Sequence, residues 1–233
     1  MSTSALATTL NHTYKFYQAT IGKKVIMAVT GCILFLFVLG HMIGNLQIYL
    51  GSEQLNYYAE HLHKLAPLLW AVRLIMLAVV ATHIYTAIQL WWLNRSARPA
   101  GYLKQGWVHA SFASRTMIYS GLIIGAFIVY HILHLTTGQA HPGGLQYLPD
   151  GNIDVYTNVV NGFRQIPASA VYIVAMIALW FHLSHGVWSM FQSVGINHPR
   201  LTPKLEKCGL FMATLIAAGD ISIPVAVMIW FIR

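Results

Sequence analysis

The chain has 233 residues, of which 57% are hydrophobic and only 9% charged, with a mean hydropathy of +0.58. A soluble domain carries about 25% charge, so the composition excludes a water-soluble globule and specifies an integral membrane protein. The formal net charge of +8 does not indicate a nucleic-acid partner, because ten of the fourteen Lys and Arg fall in segments that share one side of a membrane.

Apolar runs near 25–50, 67–93, 116–137, 167–191 and 208–232 each reach the roughly 20 residues needed to cross hydrocarbon. Helices are the default for such runs, since each satisfies its own backbone, and the alternation of a β-barrel is absent. The predicted fold is all-α, a single membrane-anchor domain over 1–233 with five spans. One side holds Lys15, Lys23, Lys24, Arg95, Arg98, Lys104, Arg115, Arg200, Lys204 and Lys207. The other holds Lys64, Arg73, Arg164 and Arg233 with Glu53, Glu60, Asp150 and Asp154. Positive residues stay inside, which places the N-terminus in the cytoplasm and, after five spans, the C-terminus outside. No cleavable signal is evident. Cys32 and Cys208 have no metal-binding spacing and read as small apolar residues.

The first 24 residues are polar and aromatic, with Tyr14, Phe16 and Tyr17 as interface anchors beside Lys23-Lys24. Span I contains Gly40-His41-Met42-Ile43-Gly44-Asn45. His41 lies roughly 25 Å from the inner boundary at the helical rise. Gly40 and Gly44 serve either close helix packing or room for a flat ring. Residues 51–66 read as a short outer interfacial helix. There Glu60, His61, His63 and Lys64 form either a solvated face or a rim that handles protons beside a quinone.

Span II opens at Pro67, which suits a first helical turn. Arg73 must snorkel outward or pair with an anion. His83 lies roughly 14 Å from the inner boundary, marked by Trp91-Trp92 and Arg95. Residues 94–114 form a basic inner loop. Span III carries His131, roughly 24 Å from that boundary, with His134 one turn further out and Gly121 and Gly125 as packing residues. The loop 138–166 shows turn signals at Pro142-Gly143-Gly144 and Pro149-Asp150-Gly151 and no chemistry. Span IV holds His182, roughly 15 Å from the inner boundary, and His185 nearer the inner surface. Span V has no histidine, but carries Asp220, read as a structural residue rather than a proton path, and Pro224. No internal repeat is evident.

Four histidines therefore fall on two levels: His41 with His131 towards the outside, His83 with His182 towards the inside, separated by roughly 10 Å. Each level draws on two different helices. Two imidazoles facing across one plane are what bis-histidine haem requires, and a four-helix core is an established place for cofactors. The spacing predicts a core of helices I–IV around two haems. One zinc ion cannot collect ligands from both levels. Depth favours His131 over His134, which lies near the outer boundary, and His182 over His185 only weakly. Histidines that merely pack or relay protons in a transporter or structural membrane protein are the competing reading.

The order of spans, the His-x-x-Gly-Asn at His41, the Tyr130-His131-Ile132 of span III and the Phe181-His182-Leu183-Ser184-His185-Gly186 of span IV resemble the cytochrome b membrane anchor of succinate:quinone oxidoreductases, the succinate dehydrogenases and fumarate reductases. The closer likeness is to the five-helix, single-polypeptide, di-haem type, and it spans residues 12–233. The resemblance implies haem b ligands at His41, His83, His131 and His182, and selects His182 over His185. It pairs His83 with His182 near the soluble subunits and His41 with His131 on the far side. It implies an FAD-bearing flavoprotein and an iron–sulfur subunit as partners, a quinone (usually menaquinone) as electron acceptor, a location in the cell (inner) membrane, and a complex open to higher oligomerisation. Glu60, His61 and His63 are the candidates for the quinone rim. Some fumarate reductases of this type carry a glutamate just before the span IV ligand. Here the neighbourhood reads Leu179-Trp180-Phe181, which favours succinate oxidation. A third reading keeps the haems and changes the partner, making the chain an anchor for a hydrogenase, formate dehydrogenase or nitrate reductase. No motif for FAD, an iron–sulfur cluster or a dicarboxylate occurs, so chemistry on succinate belongs to another chain.

Overall fold

Backbone groups in hydrocarbon have no water to bind, so apolar segments of this length close their hydrogen bonds internally. The computed structural model describes residues 15–97 and 111–232. Among the described residues there is no β-strand, only an isolated antiparallel bridge between Tyr147 and Ile153. Five helices are long and apolar enough to cross a membrane, and the chain is a multi-pass membrane protein. Span I is α1, Thr20–Asn45, continued by a 3-10 turn over Leu46–Leu50. The short α2, Ser52–Lys64, leads into span II, α3, Ala66–Ser96. A single turn, α4, Phe112–Arg115, precedes span III, which is α5, Met117–His131, followed by a π-helical turn over Ile132–Thr136. The outer loop carries α6, Val155–Phe163, span IV is α7, Ile166–Ser193, and span V is α8, Thr202–Met228.

The ends follow local chemistry. Pro67, Pro167 and Pro203 sit in the first turns of α3, α7 and α8, where a missing N–H costs no helical bond. Gly51 turns the chain between α1 and α2 at φ +100°, a region that side chains disfavour. Asp154 caps α6, accepting from the Thr157 N–H at 3.0 Å and from the Asn56 amide at 2.9 Å. Asn56 in turn accepts from the Tyr156 N–H at 3.0 Å, which clamps α2 to the outer loop. Burial pushes the Asp154 carboxyl up, but the donors from Thr157 and Asn56 outweigh it and hold the group below the ordinary carboxylate range.

Apolar packing concentrates among α1, α7 and α8. One cluster joins Met42 to Ala175, Leu179, Leu183, Ala213 and Ile216. A second, nearer the outer loop, joins Ile48, Leu55, Val160, Phe163, Tyr172 and Val227. Small residues let the helices approach. A Cβ on Gly209 would lie 3.4 Å from Val187 Cβ, and one on Gly219 would lie 2.6 Å from Met42 Sδ. Helix α3 is different. It runs along α1 but barely meets α5, and it turns Leu68, Trp70, Leu74 and Leu77 outward. A seam therefore opens between spans II and III, on the side of the bundle away from the dense packing.

Several boundaries depart from the sequence reading. Span V runs Thr202–Met228 rather than 208–232, because Pro203 opens the helix early and the backbone turns left-handed at Trp230 (φ 62°). The outer loop is not featureless, since α6 buries Val160 and Phe163 under the bundle's outer end. Gly44 is used for packing, with Tyr58 Oη 2.8 Å from where its Cβ would be, whereas Gly40 faces open space. Arg73 lies over the Trp70 ring at 5.2 Å. Asp220 has no hydrogen bond or ion pair among the described residues, so the structural role read for it has no partner there. Tyr14, Arg98, Lys104 and Arg233 lie outside the described residues.

Candidate functional site

Spans I to IV stand as a ring, and the four histidines of the sequence reading meet across it as two diagonal pairs. His41 of α1 faces His131 of α5, ring centres 5.7 Å apart with planes at 89°. His83 of α3 faces His182 of α7, ring centres 6.4 Å apart at 61°. We call these the outer and inner pairs. One iron bound about 2 Å from a nitrogen of each ring places the ring centres roughly 6 Å apart. Both pairs have that spacing.

The inner pair is held by hydroxyls on the neighbouring helices. His83 Nδ1 lies 2.9 Å from Thr30 Oγ1 of α1. His182 Nδ1 lies 3.2 Å from Ser120 Oγ of α5. Each hydroxyl spends its own hydrogen on a carbonyl of its helix, Thr30 on Ile26 at 2.8 Å and Ser120 on Met117 at 3.1 Å. Each is left with only lone pairs for the imidazole, so the ring proton sits on Nδ1 and Nε2 keeps its lone pair. That is the tautomer a metal requires. In the outer pair His131 Nδ1 lies 3.1 Å from Tyr172 Oη, and His41 stacks on Phe37 at 5.6 Å. Among the described residues no hydrogen bond reaches Nε2 of any of the four.

Glycines shape the space. A Cβ on Gly31 would meet His83 Cε1 at 3.4 Å, and one on Gly121 would meet His182 Cε1 at 3.5 Å. Gly40 and Gly186 have nothing within 4 Å of such an atom. His83, His131 and His182 are half-buried and His41 is exposed, so packing does not seal them. The orphaned Nε2 atoms, the ring spacing and the open seam between α3 and α5 fit a flat macrocycle between each pair.

The levels lie further apart than the sequence suggested. Thr30 and Gly31 touch the inner pair and His41 belongs to the outer one, ten or eleven residues along α1. The same offset separates Ser120 and Gly121 from His131 on α5, and Tyr172 from His182 on α7. At the helical rise this is about 15 Å along each axis. Depths counted from assumed membrane boundaries accumulate error at both ends, whereas contacts between helices do not.

The remaining histidines are placed elsewhere. His134 is fully buried between Tyr130 and His141, stacked at 5.3 Å from each. His185 packs edge-on against Trp188 at 5.1 Å. Neither forms a ring contact with the opposing ligand candidate. Of the rim candidates, Glu60 and His63 line a groove between α2 and the loop at Leu148 and Asn152, together with Glu53 and Asn56. His61 does not line it but packs on the ring of Tyr57, which does, at 4.0 Å. Glu60 pairs with Lys64 at 2.6 Å, and that carboxylate raises the Lys64 ammonium above its ordinary range.

Sequence reasoning missed Thr30, Ser120 and Tyr172. A signal was present: Thr30-Gly31 precedes His41, and Ser120-Gly121 precedes His131, at identical spacing. Eleven residues make just over three whole turns, so each helix presents a hydroxyl to one level and a histidine to the other along one face. Comparison with protein-family models, with curated proteins and with solved structures finds no match.

Proposed function

We propose that this chain is a di-haem cytochrome b anchor that carries electrons between a soluble redox subunit and membrane quinone. The observation that carries the reading is the pairing of four histidines from four helices, at two levels, with no partner on any Nε2 and three of the four Nδ1 atoms held by hydroxyls. His83 and His182 would hold the inner haem b, and His41 and His131 the outer. When bound, haem supplies one-electron carriage at a potential set by ligands and surroundings.

The chain's own residues do the rest. Thr30 and Ser120 orient the inner imidazoles and fix their protons. Gly31 and Gly121 let those rings lie close to the backbone. The tight packing of α1 against α7 and α8 keeps two of the four candidate ligands, His41 and His182, on a rigid frame, as a site of this kind needs. The resemblance stated above supports succinate as the electron source, with an FAD flavoprotein and an iron–sulfur subunit docking on the basic inner face and menaquinone accepting electrons near the outer pair. Glu60, His61 and His63 on α2 are the rim residues of this reading, with Glu60 and His63 lining the groove and His61 packed on Tyr57 beside it.

Haem-replete expression followed by pyridine-haemochrome quantification tests the core of this. Two haems per chain are expected, one lost in His83→Ala and the other in His41→Ala. A haem-free chain that folds rejects it. Co-purification with a flavoprotein that oxidises succinate separates this anchor from those of hydrogenase or formate dehydrogenase.

A further inference from the structure

The Tyr172 hydroxyl has one hydrogen and two imidazole neighbours. His131 Nδ1 and His134 Nδ1 both lie 3.1 Å from it. His131 and His134, three residues apart, share a face of span III, and a π-helical turn follows His131, closed by Thr137 N–H to Ile132 O at 2.9 Å. Such turns mark functional positions in helices.

Proton bookkeeping decides the direction. For His131 to offer a lone pair at Nε2 towards His41, its ring proton must sit on Nδ1 and be donated to Tyr172 Oη. Tyr172 must then donate its own hydrogen to His134 Nδ1. The ring proton of His134 is thereby forced onto Nε2. That atom is fully buried and has no hydrogen-bond partner. The order of donation therefore leaves His134 with a buried, unpaired N–H, a cost the site carries in order to keep the His131 proton on Nδ1.

The outer loop holds His134 in place. A Cβ on Gly162 of α6 would stand 2.9 Å from His134 Cε1 and 3.0 Å from its Nε2. His141 stacks on the other side and is anchored by Asn158 O at 2.8 Å from its Nε2. We propose that Tyr172 is a positioning residue for the outer haem, and that α6 and the outer loop set its hydroxyl through His134. This rests on the di-haem reading. A ligand imidazole that donates from Nδ1 is the more basic ligand and favours the oxidised metal, so the bond to Tyr172 lowers the outer haem's reduction potential. A hydroxyl that itself donates is the better acceptor, which extends the influence to His134.

Redox titration of the purified holoprotein with optical and EPR detection tests this, with the outer haem identified by its absence in His41→Ala. In Tyr172→Phe the outer midpoint should move upward, with an altered low-spin signal, while the inner midpoint and haem content stay at wild-type values. Loss of the outer haem alone would also support the proposal. His134→Phe, which keeps the ring stack, should shift the outer midpoint in the same direction by less, as should Gly162→Ala. Unmoved midpoints in Tyr172→Phe, or equal shifts of both haems, overturn it. A larger shift in His134→Phe than in Tyr172→Phe overturns the order of donation. A wild-type chain without haem fails at the earlier step and is told apart by its empty spectrum.

Discussion

Replacing Thr30 with Val removes one hydroxyl and almost nothing else. The side chain keeps its shape, and Ile26 O loses only an additional donor beyond its own helical bond. The change falls on His83. Its Nδ1–H, now 2.9 Å from an oxygen, would face a methyl group in a region without water. A buried donor stripped of its partner costs about 1–3 kcal/mol, and each 1.4 kcal/mol is about tenfold in affinity. Loss of an outer-shell partner of a ligand histidine costs about 10–100-fold in metal affinity, so the two routes agree. Thr30→Val should release the inner haem roughly 10–100-fold more readily, measured as haem retained per chain through a detergent or imidazole titration. Thr30→Ser should behave as wild type, and the outer haem should be unaffected in both. A Thr30→Val protein that holds its inner haem as tightly as wild type, or that loosens both haems alike, would refute the argument that this hydroxyl fixes the tautomer.

Ser120→Ala should weaken the same inner haem through His182, by a similar factor and with no effect on the outer one, read in the same titration. Gly219→Ala should destabilise the packing of α1 against α8 by about 1–3 kcal/mol, because the new Cβ falls 2.6 Å from Sδ of the buried Met42; thermal unfolding in detergent reads this. Asn56→Ala should free α2 from the outer loop, raising hydrogen exchange in α2 and α6 roughly tenfold for a lost bond of about 1.5 kcal/mol, without loosening the spans. The same clamp should fail in acid. Asp154 sits below its ordinary range when folded, so its contribution is present at neutral pH and lost as pH falls through that lowered value.

Much of this protein could be read before any fold was known. The five spans followed from apolar length alone, because hydrocarbon allows a backbone no alternative to self-satisfied helices. The four ligand candidates stood out because an ionisable side chain in lipid is costly and rarely idle. The short outer helix α2 was readable from its polar periodicity, whereas α6 was not, since nine residues between turn signals resemble a loop. His134 was judged peripheral from its depth, yet it is fully buried, because the outer loop folds back over it. Glu60 and His61, neighbours in sequence, face apart because consecutive helical positions are about 100° apart.

What the sequence by itself determined is which segments lie in the membrane and that their histidines fall on two levels, though not how far apart those levels are. Both depend only on composition and on a fixed rise per residue. What the tertiary structure decided is rotation and neighbourhood. Helix α1 meets α3 and α7 while α3 stands off from α5, a hydroxyl ten or eleven residues from one histidine of a pair lies against a histidine of the other pair, and one tyrosine serves two imidazoles. Those relations depend on how ridges and glycine gaps on separate helices fit together, and no position along a single chain encodes them alone.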